Sequence, residues 1–474
     1  MPAIITNAFR TYNADNFIKS LEADTAATGD GLGNKMYLMI AKDDEWSGVS
    51  AGQYAEAAPS DSVIPTPKDT TVAPFIHYND IIAAKLINES DVSHVIKRKD
   101  WTSGTVYDEY DHEQNDLIDE DFFVMTDQYN VYKCISNNNG ANSTDKPTGQ
   151  GNAIIDGQND GYRWKFMYEV SQADVLKYVT TDWIPVKYLT QDDGTNQWDV
   201  QQAAVDGALE HIDVIIQGSG YNYTNGGDAG LDAGAITSTE IVLHASAEGT
   251  TNDVYNGSTI YITSATVGAG QQAVITDYVA STKTATIAAW PTTTPSGSVK
   301  YRIRPTIVIA HSEGTLYAPT TTAVARVEAM NGEAISKIAM SNVGAGYRSA
   351  TVTVSGGGLS PTHATLSGRV GPVGGHGANA KTELGGAYVM INIRLIGTES
   401  GIFETGDDFR KVILLANPLQ ESNGAVATAT RYGGTVLNTS GLKHDSGEMI
   451  YVEYRMPINR ASDQTEDIKL VVEF

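Results

Sequence analysis

The chain has 474 residues, which corresponds to roughly three domains at about 150 residues per domain. Its 57 acidic and 32 basic residues give a formal net charge of −25, which argues against nucleic-acid binding, because neutralising phosphates requires clustered Lys and Arg. No apolar run approaches the roughly 18 residues of a transmembrane helix, and the first residues lack the pattern of a signal peptide. The single cysteine, Cys134, cannot form an intramolecular disulfide, which predicts synthesis in a reducing compartment.

The N-terminal segment, about residues 1–200, combines helices with strands. Asn13 is predicted to cap a helix with Phe17, Ile18 and Leu21 on one face, and residues 81–87 are predicted as a second helix. Ser171 is predicted to cap a third, short helix. The predicted strands are residues 36–40, 122–126, 129–135 and 163–170. In the last strand Trp164, Phe166 and Tyr168 alternate with Arg163, Lys165 and Met167, a half-buried pattern.

Residues 201–385 differ in composition, since Thr, Ala, Gly and Ser dominate and helix signals disappear. They contain an internal repeat, in which 208–221 matches 334–347 and both copies read as an apolar strand followed by Gly-x-Gly-Tyr. Between the copies, turns and alternating strands recur around 259–263, 274–278 and 284–289. We predict an inserted all-β region of one or two small subdomains.

The C-terminal segment, about residues 386–474, returns to the earlier style. Strands are predicted at 388–396, 411–416 and 449–455, and the alternation of 468–474 predicts a last strand paired in a sheet.

Two motifs imitate ligand sites without the required context. Gly268-Ala-Gly270 resembles a dinucleotide fingerprint, but a strand rather than a helix is predicted after it, so we interpret it as a hairpin turn. Asp156-x-Gln158-x-Asp160-Gly161 resembles the start of a calcium loop, but the twelfth position is Met167 instead of Glu, so we interpret it as an exposed turn.

Acidic and catalytic patterns receive similar interpretations. Eight acids crowd residues 108–121, which favours a solvated loop over a metal or glycosidase site, with contact to a basic partner as the second interpretation. His444, Asp445 and Ser446 are adjacent and so cannot converge as a triad. The nine His show no metal-binding spacing. No catalytic, metal or cofactor site is predicted, and the chain is best interpreted as an assembly component.

A collinear set of motifs occupies residues 4–190 and 386–474. Its closing part runs from His444-Asp-Ser-Gly-Glu-Met to Arg455-Met-Pro-Ile, followed by Asp463-Gln-Thr-Glu-Asp-Ile. The residues that carry the set are Trp46, Arg98, Asp100, Trp101, Cys134, Asp160, Gly161, Tyr162, Trp164, Asn417, Pro418, Ser446, Gly447, Glu448, Met449, Tyr451, Glu453, Arg455, Pro457 and Gln464. The ordered set resembles the baseplate wedge subunit family of T-even-type contractile-tailed bacteriophages, the gene-product-eight family. The segment 201–385 is an addition to that pattern.

The resemblance implies a mainly β protein with a layered β-sandwich core and a few helices on side loops. It also implies a non-enzymatic virion component that is assembled in the host cytoplasm and forms a homodimer within each wedge. Other wedge proteins would be its neighbours, and the baseplate would rearrange on host attachment. Glu448, Glu453 and Arg455 are expected to form cross-strand charge pairs or to contact neighbours. For Trp101, Trp164 and Tyr451, core packing is favoured over an interface role.

Two alternatives remain open for the function. The segment 201–385 could contact tail fibres or bind a receptor or glycan on the host surface, with Tyr221, Tyr223, Tyr255 and Tyr347 stacking on sugar rings. A polysaccharide-cleaving tail protein would instead need two carboxylates about 5–9.5 Å apart in a groove.

Overall fold

The computed structural model describes residues 6–21, 34–41, 81–156, 158–223, 230–246, 249–311, 318–394, 408–428, 431–433, 442–443, 446–459 and 467–474. Across these ranges the protein is mainly β, with several antiparallel sheets and a few short helices, as the sequence predicts. No helix in the described ranges is long and apolar enough to cross a membrane.

The helices of the described chain are α1 (Asn7–Ser20), α2 (Gln172–Tyr178), α3 (Asn196–Ala203) and α4 (Ala380–Glu383). The strands are β1 (Met36–Ala41), β2 (Ile81–Leu86), β3 (Val92–Lys97), β4 (Phe123–Met125), β5 (Asn130–Ser136), β6 (Ile154–Ile155), β7 (Arg163–Glu169), β8 (Trp183–Pro185), β9 (Leu209–Ile216), β10 (Leu231–Asp232), β11 (Glu240–Val242), β12 (Thr259–Ser264), β13 (Gln272–Val279), β14 (Thr284–Ile287), β15 (Lys300–Arg304), β16 (Thr306–Ala310), β17 (Val324–Asn331), β18 (Ala334–Asn342), β19 (Thr351–Ser355), β20 (Thr365–Val370), β21 (Tyr388–Arg394), β22 (Asp408–Ala416), β23 (Arg431–Gly433), β24 (Glu448–Asn459) and β25 (Asp467–Glu473).

The chain divides into two compact units. The first unit contains Met1–Arg98, Val170–Tyr188 and Leu384–Phe474, and the second contains Lys99–Glu169 and Leu189–Glu383. The predicted boundaries at 200 and 385 concern which segment was inserted into the family core, and they stay a prediction.

The first unit is a layered β-sandwich. One sheet has the order β23-β2-β1-β22-β24, and the other has the order β25-β21-β3-β8. Apolar side chains from both sheets share one core, for example Leu38 and Leu414 from the first sheet and Ile391 from the second. The opposite face of the five-stranded sheet is also buried, by a cluster that includes Tyr37 and Leu415. The predicted final strand is confirmed, because β25 pairs with β21.

Helix α1 begins before the predicted cap. Thr6 caps it by accepting a hydrogen bond from the Phe9 N–H, so the start predicted at Asn13 is wrong. The first turns bury only the small side chains of Thr11 and Ala14, which an apolar periodicity does not detect. The predicted apolar face is otherwise correct, since Phe17 and Ile18 pack on the sandwich core.

The helix predicted at 81–87 is a strand. β2 pairs with β1 on one side and with β23 on the other, and it buries Ala83 and Ala84. A segment that lies between two strands is held by ladder hydrogen bonds and packing on both faces, and these outweigh local helix propensity. The predicted caps Asn79 and Asp80 lie outside the described residues. The short helix capped by Ser171 is confirmed as α2.

The second unit contains a four-stranded sheet with the order β4-β5-β7-β6, against which α3 packs. The strands predicted at 122–126, 129–135 and 163–170 all lie in it. The half-buried pattern predicted for the last one is wrong, because Lys165 and Met167 are buried as completely as Trp164. Lys165 is satisfied there by donating to the Asn152 carbonyl at 2.6 Å.

The two copies of the repeat lie in the second unit, in β9 and β18 with their following turns. Each ends in a buried tyrosine whose hydroxyl accepts a backbone N–H. Tyr221 accepts from Ala364 at 2.6 Å, and Tyr347 accepts from Ala323 at 2.9 Å. The glycine three residues before each tyrosine has φ +68°, and a Cβ there would collide with the neighbouring backbone. The repeated Gly-x-Gly-Tyr is therefore a tyrosine-anchored turn.

The strands between the two repeat copies build a six-stranded sheet with the order β10-β15-β12-β13-β14-β11. Its inward side chains form a separate apolar core that includes Ile260, Ile275 and Tyr301. Gly268 and Gly270, both with positive φ, form the turn before β13, so the interpretation as a hairpin turn rather than a dinucleotide fingerprint is confirmed.

Candidate assembly surface

The closing motif of the sequence forms β24, the edge strand of the five-stranded sheet. This strand pairs with β22 on one side, and no other described strand of the unit pairs with its second side. Met449 and Val452 turn towards the apolar cluster behind the sheet. A long strand with one unpaired edge is a template for association with another chain.

The exposed side of β24 is strongly apolar. Met456 is 85% exposed and Tyr454 is 62% exposed, and they are joined by Ile450, Tyr451 and Ile458. Exposed apolar side chains that are contiguous along one strand indicate an interaction site more than scattered ones do. Tyr451 lies on this surface, so the preference for core packing was wrong for it.

The charged residues of β24 pair along the strand rather than across it. Arg455 Nη2 lies 2.6 Å from Glu453 Oε1, and the Tyr451 hydroxyl donates to Glu453 Oε2 at 2.6 Å. The hydrogen bond to Glu453 raises the pKa of Tyr451. Since Arg455 is mostly exposed, the pair contributes little to stability and stays accessible to a neighbour. Glu448, also exposed, lies opposite Ala416 at the start of the strand.

A turn built from family-motif residues fixes where β24 begins. Asn417 adopts φ +50°, and its side-chain oxygen accepts the Lys35 N–H at 2.8 Å. The Pro418 carbonyl accepts the Ala427 N–H at 2.7 Å. Ser446 Oγ accepts the Leu419 N–H at 3.0 Å. These contacts define the register of β24 on β22.

Replacing Gly447 with Ala is expected to destabilise this turn. Gly447 has φ +80°, and a Cβ there would lie 2.6 Å from the Ala416 carbonyl oxygen and 2.9 Å from Cα of Pro418. Gly424 is the matched control, since it has φ +69° and open space around it. Both variants bear the left-handed backbone cost of about 1–2 kcal/mol. Gly447→Ala should lose about 1–3 kcal/mol more in urea unfolding because of the clash. Equal losses would contradict the role assigned to the turn.

The motif residues of the second unit form an aromatic core. Trp164 and Tyr162 are fully buried and stacked with ring centroids 5.4 Å apart. Trp101 packs at the edge of this cluster, and its indole donates to Ser143 Oγ at 3.1 Å. Cys134 is buried in the same cluster, and burial raises the pKa of its thiol well above the ordinary value. These residues hold the fold.

The Asp160-Gly161 turn is a structural staple. Asp160 accepts hydrogen bonds from the N–H groups of Thr144 at 2.8 Å and Asp145 at 3.0 Å. Burial opposes ionisation of Asp160, but these bonds outweigh it and lower the pKa. Gly161 has φ +78°, and a Cβ would meet the Asn138 side chain. The carboxylate is thus engaged by its own loop.

The remaining motif residues are backbone anchors or undescribed. In the first unit, Arg98 donates to the Thr180 carbonyl at 2.8 Å. In the second, Asp100 forms a parallel bridge with Met125. Pro457 lies within β24. Trp46 and Gln464 lie outside the described residues.

The catalytic patterns of the sequence gain no support from the described geometry. His444 and Asp445 lie outside the described residues, and Ser446 serves the turn. Among the described residues, no group of three or more His, Cys, Asp or Glu side chains is arranged to hold a metal ion. Of two clefts in the second unit, one has no lining carboxylate and the other has Asp206 alone.

The tyrosines proposed to stack on sugars are mostly unavailable. Tyr221, Tyr255 and Tyr347 are buried, and each hydroxyl accepts a backbone N–H. Their sequence signal came from the turns that they anchor. Tyr223 alone of the four reaches the surface, where the Arg304 guanidinium lies 5.0 Å from its ring.

The acidic run at 108–121 contains a charge cluster that the sequence analysis missed. Arg369 from β20 pairs with Glu109 at 3.1 Å, with Asp111, and with Asp213 from β9 at 2.7 Å. His211 also contacts Asp213, at 2.5 Å. The interpretation as a solvated loop is therefore wrong for Glu109 and Asp111. No local signal could reveal this cluster, since Glu109 and Arg369 are 260 residues apart.

A second cluster is buried beside the four-stranded sheet. Lys133 is fully buried and pairs with Glu383, which also accepts the Gly377 N–H at 2.9 Å. His376 lies nearby with its ring centroid 4.6 Å from that of Tyr110. Burial and the neighbouring lysines lower the pKa of His376 well below its ordinary value.

Residues 392–474 match the family model described as Phage-Gp8, from bacteriophage T4, Gp8. This C-terminal part belongs to the T4-type baseplate wedge subunit family. The match begins within β21 and contains all of β22 to β25, including the exposed edge strand. The family is a structural one of the phage tail baseplate, so the coarse role of the chain is that of a structural virion protein. The resemblance of residues 4–190 to the family lies outside the match and stays a prediction.

No curated protein matches the chain.

Proposed function

We propose that the chain is a baseplate wedge subunit that forms a homodimer, joins other wedge proteins during assembly in the host cytoplasm, and takes part in the rearrangement on host attachment. Its role is architectural and not enzymatic. The observation that carries this proposal is the coincidence of the family match at 392–474 with the exposed apolar edge strand β24.

The chemistry of β24 supports a docking role. An edge strand offers backbone N–H and C=O groups for strand addition, and alternate side chains give such an interface its specificity. Met456, Tyr454 and Ile458 supply apolar area, while Glu453 and Arg455 supply both signs of charge. Pro457 cannot donate a backbone hydrogen bond, which restricts uncontrolled strand addition at this edge.

Replacing Met456 and Ile458 together with Lys is expected to abolish the homodimer or the capture of wedge partners. The two charges would have to be desolvated in the interface, which opposes association strongly. Oligomeric state is measured by light scattering on a sizing column, and partner capture by co-purification with co-expressed wedge proteins. The isolated variant should unfold at the wild-type temperature, because both side chains are exposed.

Val373→Lys is the control, since Val373 is 86% exposed in the second unit. It should leave both assembly readouts unchanged. A wild-type chain that stays monomeric and captures no wedge protein would refute the proposed function. Full assembly by the β24 variant would remove β24 from the interface.

A further inference from the structure

A cleft in the second unit collects cationic side chains in this acidic protein. It is lined by Arg302, Arg304 and Arg326, together with Tyr261, Pro305 and Ile307. The described lining residues contribute three guanidinium groups, whereas the whole chain has a net charge of −25. A local reversal of charge inside a cleft raises the local concentration of anions.

The strand register explains why these side chains converge. In the β12–β15 pair, Tyr261 lies opposite Arg302, and Thr259 lies opposite Arg304. Their neighbours along the strands, such as Ile260, face the core of the six-stranded sheet. The polar residues therefore share the other face. The Thr259 hydroxyl approaches that of Thr306 at 2.7 Å.

Arg326 reaches the same face from β17. Its guanidinium carbon lies 5.2 Å from the Tyr261 ring centroid, and that of Arg302 lies 6.0 Å from the same centroid. Arg326 donates one hydrogen bond, to Ser341 Oγ at 2.9 Å. A guanidinium has five N–H donors in a fork that matches carboxylate and phosphate oxygens. Tyr261 thus orients planar donors towards the cleft.

We propose that this cleft binds an acidic sugar unit, whose negative charge comes from a carboxylate or a phosphate. The guanidinium groups would hold the anionic oxygens through charge-assisted hydrogen bonds. Pro305, Ile307 and Val327 supply the apolar wall that a sugar ring needs beside such a group. A cleft lined by nine residues accommodates one such unit rather than a folded partner. The proposal is independent of the wedge role proposed above.

The test titrates the full chain with sodium glucuronate, glucose 6-phosphate, inorganic phosphate and uncharged glucose, using calorimetry. Glucuronate or glucose 6-phosphate should bind, their relative affinity identifying the source of the charge, and glucose should not. Added NaCl should weaken binding, because the contact is ionic. Arg326→Gln should lower the affinity by about tenfold, the equivalent of one charged hydrogen bond. Arg302→Gln is a second variant should Arg326→Gln fail to fold.

Arg348→Gln is the matched control, because Arg348 is an exposed arginine outside this cleft and pairs with Asp206 at 3.4 Å. It should bind like the wild type. The proposal is overturned by several results: no binding of either acidic sugar, equal binding of glucose, or unchanged affinity in both arginine variants. Binding of inorganic phosphate as tight as that of the sugars would exclude the sugar contribution. Tighter binding of polyglutamate would assign the cleft to an acidic peptide.

Discussion

Replacing Glu383 with Gln is expected to lower the free energy of unfolding by about 3–5 kcal/mol, the largest effect that we expect of a single substitution. Glu383 is the counter-ion of Lys133, whose side chain is fully buried. Burial lowers the pKa of Lys133, and the charge of Glu383 opposes that shift. Removing the carboxylate leaves an ammonium group in an apolar site without its partner. The measurement is urea unfolding at neutral pH.

The double variant Lys133→Met with Glu383→Gln is the decisive companion. It removes both charges, so it should recover a large part of the loss, although the Gly377 N–H keeps a weaker acceptor. Lys337→Met is the control for removing a lysine, because Lys337 is 48% exposed in its pairs with Glu328 and Asp156. Its free energy of unfolding should change by less than about 0.5 kcal/mol. A double variant as unstable as Glu383→Gln would show that the lost stability does not come from the unpaired charge.

The sequence predicted elements whose signal is local. The strands at β1, β5 and β7, the cap at Ser171 and the turns after the repeated strands all follow from alternation, capping residues and glycine. It failed for β2, where an Ile-Ile-Ala-Ala segment is compatible with both helix and strand. Only the strands β1 and β23 beside it decide between the two.

The candidate surface was only partly predictable for the same reason. The motif at 448–458 identified the segment, and alternation identified a strand. Which side chains stay exposed depends on the place of β24 at the sheet edge, so Tyr451 could not be distinguished from a core tyrosine such as Tyr162. Likewise, Lys165 reads as a solvent-facing residue until a second layer covers its face.

The stability of the chain is expected to fall as the pH rises from about 5 to about 7, by an amount that depends on Glu109. Burial raises the pKa of Glu109 from 4.5 to about 7, and the negative charge of Asp213 adds to this shift. The Arg369 guanidinium and the Asn137 N–H act in the opposite direction. The folded state therefore holds a proton on Glu109 that the unfolded state has already released. Its contribution is full below the unfolded pKa of 4.5 and is lost through the folded pKa of about 7.

Asp213 acts with the opposite sign at lower pH. Burial opposes its ionisation, but the hydrogen bond from His211 and the pairing with Arg369 outweigh burial and lower its pKa. Its contribution is present above the unfolded pKa of 3.8 and is lost as the pH falls through the lower folded value. Asp111 shares Arg369 with both carboxylates, so three acids compete for one guanidinium. The excess of negative charge in the cluster agrees with a protonated Glu109.

Glu109→Gln should flatten the pH dependence between pH 5 and pH 7, because Gln carries no titrating proton and mimics the neutral carboxyl group. The midpoint of urea unfolding, followed at several pH values in one buffer system, is the measurement. Glu113→Gln is the control from the same acidic run, since Glu113 is exposed, and it should reproduce the wild-type slope. If Glu109→Gln kept the wild-type slope, another group would be responsible for the dependence. If stability instead rose across this range in the wild type, Glu109 would be ionised beside Arg369, and its pairing would outweigh its burial.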